Sequence, residues 1–189
     1  MSLRTTTVDG NLLVLRTCGD VGEAQRVQAL DTEVWPEGYK QYLDLFVING
    51  DSIKVAVGAN CQIASYVGIE RIRMEDLGTS MPGWDHDPKR WVRPKGRVWY
   101  IIGHAVTREY RKSGLSREMI RFLLDEAKES DIDLVAVILR LNHPTLGKAS
   151  TFWEHHGFRR LEDTFDPSWK ASPTAEDSGG VIYAVEIQK

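Results

Sequence analysis

The stretch Val98–Ser116, VWYIIGHAVTREYRKSGLS, is the part of the chain that decides the fold. Its first part, from Val98 to Val106, is apolar and predicts a central β-strand, and the amphipathic run Leu115–Glu129 that follows predicts a helix. A short turn around Gly114 joins the two. This order places the unpaired N–H groups of a helix N-terminus directly after a tight turn.

The composition of the turn predicts an anion-binding site. It supplies two basic side chains, Arg111 and Lys112, together with the small residues Ser113, Gly114 and Ser116. A helix N-terminus carries partial positive charge, and small residues allow a diphosphate to approach the backbone. On these residues alone, a basic surface turn that only caps a helix is an equal alternative, because short glycine-containing turns are common.

The elements on either side of this segment predict an α/β fold with a mixed, partly antiparallel central sheet of about seven strands and four or so helices. Besides the elements named above, we expect strands at Asn11–Arg16, Ile53–Ala59, Gln62–Arg73, Leu134–Leu141, Phe158–Leu161 and Val181–Ile187, and helices at Val21–Val34, Tyr39–Ile48 and Pro144–His156. The chain is predicted to be one domain over residues 1–189, with a long irregular insertion at about 74–96.

The composition is that of an ordinary globular protein and gives no sign of a nucleic-acid or membrane partner. The chain has 189 residues, a formal net charge of −3 and a pI of about 6.0. It contains no apolar run approaching the roughly 20 residues that cross a bilayer, and its start, MSLRTTTVDGNLLVLR, lacks the apolar core of a signal peptide. Cys18 and Cys61 are far apart and form no CxxC pattern, which predicts free thiols in a reducing cytoplasm. We expect no metal site.

The turn also resembles the coenzyme A motif of the GNAT N-acetyltransferase superfamily. That motif is Gln or Arg, two residues, Gly, one residue, and then Gly or Ala. Within Tyr110–Ser116, Arg111 fills the first place and Gly114 the second. Ser116 stands where the family prefers Gly or Ala, and Ser113 stands where it usually has Gly. Both departures are mild, because serine is small.

A second segment resembles the same superfamily, at the expected distance along the chain. Ala149–Phe158, ASTFWEHHGF, is similar to the signature of Ala, three residues, Tyr, three residues and Gly-Phe. Asn142, at the end of the preceding predicted strand, stands where the family has an asparagine that touches pantetheine. The family's usual tyrosine is Trp153 here, and an indole cannot supply the proton that a departing thiolate takes up.

The resemblance implies an acetyl-CoA site and names its residues. The backbone of Arg111–Ser116 would hold the diphosphate, Ala105 and Val106 would offer backbone hydrogen bonds to pantetheine, and an N–H near Val106 would stabilise the oxyanion. The expected coenzyme-binding residues are Ala105, Val106, Arg111, Lys112, Ser113, Gly114, Leu115, Ser116, Asn142, Ala149, Phe152 and Trp153. We expect Trp153 to pack under the cofactor.

Candidate catalytic residues come from alternation along the central strand. Tyr100, Ile102 and His104 share one face, and His104 is the group there that titrates near neutrality. It is a candidate to accept the proton of the acceptor amine, with a hydrogen-bonded core histidine as an equal alternative. Tyr100 could relay a proton or supply the missing acid, unless the thiolate leaves unprotonated. Glu70 and Arg71 are weaker candidates for contact with the acceptor.

These observations predict an acetyl-CoA-dependent N-acetyltransferase that moves an acetyl group directly to the amine of a small molecule or peptide. The alternative is a catalytically degenerate module that binds or senses acyl-CoA. A nucleic-acid binder using the basic cluster at residues 89–97 is a weaker third reading. Acceptor choice is expected to lie in variable segments containing Trp35, Trp84, Trp91 and Trp169. The sequence is compatible with a homodimer but does not determine the oligomeric state.

Overall fold

The computed structural model describes residues 3–35, 42–73, 96–140, 146–160 and 180–188. The helices there are α1 (Val21–Val34), α2 (Tyr42–Ile48), α3 (Leu115–Glu129) and α4 (Leu146–His155), with a short 3₁₀ helix at Arg108–Tyr110. The strands are β1 (Leu3–Val8), β2 (Asn11–Thr17), β3 (Ile53–Val57), β4 (Ile63–Arg73), β5 (Arg97–Val106), β6 (Leu134–Arg140), β7 (Arg159–Arg160) and β8 (Gly180–Glu186).

The strands form one eight-stranded sheet in the order β1-β2-β3-β4-β5-β6-β8-β7. The pairs β1–β2, β2–β3, β3–β4, β6–β8 and β7–β8 are antiparallel. The predicted α/β class with a partly antiparallel sheet is therefore confirmed. The expected count of about seven strands is one too low, since β1 was not predicted.

Strand β1 escapes prediction because its sequence, LRTTTV, carries little hydrophobic contrast. Its residues are exposed or half-buried until Val8, which is 5% exposed. It pairs with β2 through a tight turn in which Asp9 and Gly10 both have positive φ, 50° and 78°. An Asp-Gly dipeptide is a strong hairpin signal, so this turn could have revealed the strand.

The chain divides into two compact units, and each is described by itself. The first contains Met1–Glu70 and Ile101–Glu126, and the second contains Arg71–Tyr100 and Ala127–Lys189. The expectation of a single domain stays a prediction. The proposed insertion at 74–96 lies outside the described residues except for Gly96.

The first unit has a core between its strands and the helices α1 and α2. Ala24, Val27 and Leu30 of α1 are buried and pack in one cluster with Tyr42 of α2 and Tyr66 of β4. Helix α1 begins where the sequence predicts because the Asp20 side chain accepts a hydrogen bond from the Glu23 amide at 2.8 Å, which is a standard N-cap.

The Glu23 carboxylate ties this helix start to strand β2. It accepts hydrogen bonds from the Arg16 guanidinium and from the Gly19 amide. Burial by itself raises the pKa of Glu23, but the Arg16 and Gly19 donors outweigh it, so the pKa lies below its usual range. The same hydrogen bond raises the pKa of Arg16. Glu23 is therefore ionised at neutral pH and fixes the entry to α1.

Strand β3 carries a buried ion pair that predicts a large stability effect. Lys54 is 3% exposed, and its Nζ lies 2.6 Å from Oε2 of Glu126 on α3 and 3.0 Å from the Thr17 hydroxyl. Removing one partner of a buried pair leaves an uncompensated charge, which costs about 3–5 kcal/mol. We expect Glu126→Ala to lower the free energy of unfolding by about that amount, measured by urea denaturation.

A matched control lies on the same helix. Arg121 pairs with Glu118 at 3.0 Å, but its side chain is 55% exposed, and exposed pairs contribute at most about 1 kcal/mol. Arg121→Ala should therefore change stability little. A Lys54→Met, Glu126→Leu double variant should recover most of the loss, because it removes both charges. Equal effects of Glu126→Ala and Arg121→Ala would show that the ion pair does not control this part of the core.

Candidate functional site: the β5–α3 turn

The turn between β5 and α3 joins the strand to the start of the helix, as the sequence predicts. After the 3₁₀ helix, Lys112 and Gly114 adopt positive φ values of 70° and 88°. The Ser113 hydroxyl donates to the Tyr110 carbonyl at 2.6 Å and accepts from the Leu115 amide at 3.3 Å. The side chain of Ser113 therefore holds the turn together and caps the helix, a local role that spacing alone did not reveal.

The backbone amides of this turn fit a negatively charged ligand. The amides of Arg117 and Glu118 donate to the Gly114 carbonyl at 3.0 and 3.2 Å. Among the described residues, no hydrogen-bond acceptor is found for the backbone amides of Lys112, Gly114 and Ser116. Successive N–H groups at a helix start, with alternating left-handed residues, form an anion-binding concavity.

The surroundings of Gly114 support the same fit. No atom lies within 4 Å of the position a Cβ would take there, so the space beside the turn is open. Arg111 and Lys112 are exposed and add positive charge. The Nε of Arg111 reaches the Val106 carbonyl at 3.5 Å, which links the turn to the end of β5. A diphosphate matches this combination of open space, unpaired amides and positive charge.

Ala105 and Val106, two of the residues predicted to meet pantetheine, lie at the end of β5, immediately before the turn. Ala105 is buried, and its carbonyl accepts a hydrogen bond from the Ser65 hydroxyl at 2.8 Å. Val106 is half-buried, and the amide of Thr107 is taken by the Ala64 carbonyl at 3.0 Å. These bonds to β4 hold the end of β5 in place.

His104 lies on the more accessible face of β5, as alternation predicts. From Trp99 to Val106 the strand alternates between buried and half-buried residues, and Tyr100, Ile102 and His104 are on the half-buried face. The Nε2 atom of His104 lies 3.3 Å from the Ser116 hydroxyl. The sequence assigned the two residues separate roles and gave no signal of their contact, which depends on how α3 packs beside β5.

In the second unit, Ala149, Phe152 and Trp153 lie on α4. Trp153 is 5% exposed, and its ring packs edge-on against Phe158 and Phe152 with centroids 4.9 and 5.2 Å apart. Trp153 thus packs against neighbouring aromatic rings of its own unit. Its expected contact with the cofactor stays a prediction. Asn142, the other residue expected on this side, lies outside the described residues.

The helix α4 ends at His155, one residue before the predicted end at His156, and the chain leaves it through Gly157. Gly157 has a φ of 83°, and the Phe158 amide donates to the Trp153 carbonyl at 3.1 Å. This is the left-handed exit that glycine favours after a helix. It explains why Gly157 and Phe158 follow the aromatic residues at a fixed spacing.

A buried polar cluster in the first unit was missed by sequence reasoning. Asp31 of α1 is 1% exposed, and its Oδ1 accepts a hydrogen bond from the Tyr66 hydroxyl and one from Tyr42 at 3.4 Å. Burial raises the pKa of both tyrosines, so they remain neutral donors. The only sequence signal was an acidic residue on the apolar side of a helix.

Of the weaker candidates for acceptor contact, only some lie among the described residues. Arg71 lies over the ring of Trp99, with its guanidinium carbon 6.0 Å from the ring centroid, and Glu70 is exposed. Trp35 is 38% exposed at the end of α1. Trp84, Trp91 and Trp169 lie outside the described residues, as does the basic cluster apart from Arg97. Cys18 and Cys61 are both free, as predicted, and burial raises the pKa of the Cys18 thiol to about 11.

Comparison with known proteins finds one matching family and many structures of similar fold. The family model described as "Acetyltransferase (GNAT) family" matches residues 26–158. The structure is similar to Arabidopsis thaliana NAA60 in complex with acetyl-CoA, at 15% identity and a TM-score of 0.68, over 93% of this chain and 98% of that one. Ard1 from Thermoplasma volcanium is 14% identical with a TM-score of 0.66, over 94% of this chain and 99% of that one. The ribosomal-protein-S18-alanine N-acetyltransferase from Escherichia coli is 14% identical with a TM-score of 0.64, over 94% of this chain and 95% of that one. No curated protein sequence matches the chain.

The fold and the family match define the class: a mixed α/β acyltransferase. The chain belongs to the GNAT acetyltransferase family, because the family model covers well over half of it, including both motif segments. Acetyl-CoA is the cofactor of this family. Among the described residues, no helix is long and apolar enough to cross a membrane.

Proposed function

We propose that this protein is an acetyl-CoA-dependent N-acetyltransferase that moves an acetyl group directly to the amine of a peptide or small molecule. The observation that carries the proposal is the β5–α3 turn. It lies inside the segment matched by the family model, and within the part of the chain that the structure describes its amides at Lys112, Gly114 and Ser116 have no acceptor. Such a helix start suits the diphosphate of coenzyme A.

Each predicted coenzyme contact then has a physical role. The amides of the turn hold the diphosphate, and Arg111 and Lys112 neutralise its charge. The backbone at Ala105 and Val106 meets the pantetheine arm, with Asn142 as a further contact. Ala149, Phe152 and Trp153 are the further coenzyme-binding residues that the family resemblance implies. Coenzyme A supplies the activated thioester, and the chain contributes mainly positioning.

The proton balance of the reaction assigns a role to His104. The acceptor must lose a proton before its nitrogen can attack the thioester carbonyl. His104 would take one proton of the acceptor ammonium, which gives the nitrogen the lone pair it needs to attack the thioester carbonyl. The nitrogen–carbon bond then replaces the carbon–sulfur bond, the second proton of the nitrogen passes to solvent, and the sulfur leaves as a thiolate. The thiolate takes a proton from Tyr100 or from solvent, since a thiol pKa near 8.5 makes it a tolerable leaving group.

A peptide amine is the acceptor class that the structural neighbours support. NAA60 is solved with a bisubstrate analogue, the NatC complex with a Gag peptide, and another neighbour is a ribosomal-protein-S18-alanine N-acetyltransferase. Their TM-scores against this chain lie between 0.64 and 0.67. A small-molecule amine is the other acceptor class. A cytoplasmic location and a homodimer stay predictions.

The second candidate function is an acyl-CoA-binding module without turnover. The observation that favours it is Trp153, which stands in the usual tyrosine place and is buried against Phe152 and Phe158. An indole donates a hydrogen bond but does not protonate a thiolate. Such a module would still bind acyl-CoA at the β5–α3 turn but would not catalyse acetyl transfer.

A thiol-release assay separates the two candidates. Purified protein is incubated with acetyl-CoA and a panel of peptides with free N-termini, polyamines and aryl amines, and free thiol is measured beside calorimetric binding of acetyl-CoA. We expect release with at least one amine class and an acetylated product by mass spectrometry. Tight binding without release across the panel would favour the module, and absence of binding would overturn both.

A further inference from the structure

The contact between Ser116 and His104 joins the coenzyme turn to the candidate base. The two residues lie on different elements, α3 and β5, and both are half-buried. The Ser116 Oγ and the His104 Nε2 are 3.3 Å apart, which is hydrogen-bonding distance for a hydroxyl and a ring nitrogen. The family motif usually has Gly or Ala at the place of Ser116, so this contact is a feature of this chain.

Both ends of the contact are held by the surrounding structure. Ser116 lies in the first turn of α3, which is anchored by Leu115, Met119 and Ile120, all 0% exposed. His104 precedes Ala105, whose carbonyl is tied to Ser65 on β4. The backbone at both residues is therefore fixed. The Ser116 hydroxyl meets one nitrogen of the imidazole ring directly, so it acts on the rotation of the ring and on which nitrogen carries the proton.

We propose that Ser116 is a positioning residue that holds His104 in the orientation and tautomer needed for proton transfer, an inference that rests on the proposed function. In this arrangement Nε2–H donates to the Ser116 hydroxyl, and Nδ1 takes the proton of the acceptor amine. Once the ring is protonated, the Nε2–H bond to Ser116 becomes charge-assisted and stronger. The hydroxyl thus stabilises the form of His104 that the reaction produces.

The same serine contributes its backbone amide to the turn that holds the diphosphate. The two roles are separable, because a change of side chain leaves the amide in place. Alanine is also a residue that the family motif accepts at this position. Ser116→Ala should therefore fold and bind coenzyme while losing the contact with His104.

The test compares Ser116→Ala and Ser116→Thr with the wild type. We expect Ser116→Ala to lower kcat about tenfold, since a misplaced catalytic group costs one to two orders of magnitude. The Kd and KM for acetyl-CoA should stay within about twofold. Ser116→Thr keeps a hydroxyl and should restore most of kcat. A loss of kcat equal in both variants, or no loss in Ser116→Ala, would overturn the proposal.

A double-mutant cycle with His104→Gln tests whether the effect passes through the histidine. If Ser116 acts through His104, Ser116→Ala should produce no further loss of kcat in the His104→Gln background. An equal loss in both backgrounds would show that Ser116 acts in some other way and would overturn the inference.

Nuclear magnetic resonance of the imidazole nitrogens gives a readout that does not depend on turnover. With ¹⁵N-labelled histidine, we expect the His104 signals to change tautomer balance in Ser116→Ala and to stay near wild type in Ser116→Thr. Unchanged His104 nitrogen signals in Ser116→Ala would overturn the positioning role of Ser116 even if the enzyme is active. Failure of the wild type to bind acetyl-CoA would instead overturn the proposed function. The failure of the positioning inference and the failure of the proposed function are therefore distinguishable.

Discussion

Gly114→Glu is expected to abolish detectable binding of acetyl-CoA, weakening it by about 100-fold or more. The position has open space where a side chain would emerge, so the glutamate would project beside the unpaired amides of the turn. A carboxylate there competes for those amides and repels a diphosphate at short range. The φ of 88° at Gly114 adds backbone strain to any side chain there, whereas the negative charge itself is favourable at a helix N-terminus. Calorimetry with acetyl-CoA measures the loss directly.

Gly10→Glu is the matched control for this experiment. Gly10 has a φ of 78°, close to the 88° of Gly114, and likewise has no atom within 4 Å of a Cβ position. It lies in the β1–β2 turn and has no assigned role in coenzyme binding. The two variants therefore add the same charge and similar backbone strain. Gly10→Glu should bind acetyl-CoA as the wild type does. Unchanged affinity in Gly114→Glu would remove the diphosphate assignment.

The helices show what local sequence determines well. Helices α1 and α3 begin and end at the residues predicted from spacing, Val21–Val34 and Leu115–Glu129. In both, the apolar period and the residues at the ends agree, as with Asp20 capping α1. Strand ends were less certain: β3 stops at Val57 and not at Ala59, because Gly58 turns the chain by donating to the Gln62 carbonyl. Periodicity identifies an apolar run, but pairing partners decide where a strand stops.

Some features of the candidate site depend on consecutive residues, and others depend on packing between elements that are far apart in sequence. The β5–α3 turn, which we propose binds the diphosphate, could be singled out from the sequence because its residues are consecutive and the proposed role resides in its backbone. The contact of Ser116 with His104 and the hydrogen bonds of Tyr66 and Tyr42 to Asp31 could not be singled out in this way. Those pairs are far apart in sequence, and side-chain packing between elements brings them together. Spacing along one segment carries no information on such contacts.

His104→Gln is the second change with a large expected effect, a fall in kcat of about 10²- to 10⁴-fold, the usual contribution of a general base. Glutamine is similar in reach and retains hydrogen-bonding groups for Ser116, but it cannot accept the proton of the acceptor amine. The Kd for acetyl-CoA should change little, since the turn from Arg111 to Ser116 is untouched. Steady-state kinetics beside calorimetry would show this split between turnover and binding.

His155→Gln controls for the loss of a histidine as such. His155 is exposed at the end of α4, where its Nδ1 lies 2.7 Å from the Thr151 carbonyl, and no step of the reaction is assigned to it. Its kcat should stay within about twofold of the wild type. If His104→Gln instead unfolds at lower urea and retains its kcat, His104 is a core histidine. The acceptor would then lose its proton to another group, and the search for the base would turn to Tyr100, the half-buried neighbour on the same face of β5. A base is required because an ammonium has no lone pair with which to attack the thioester.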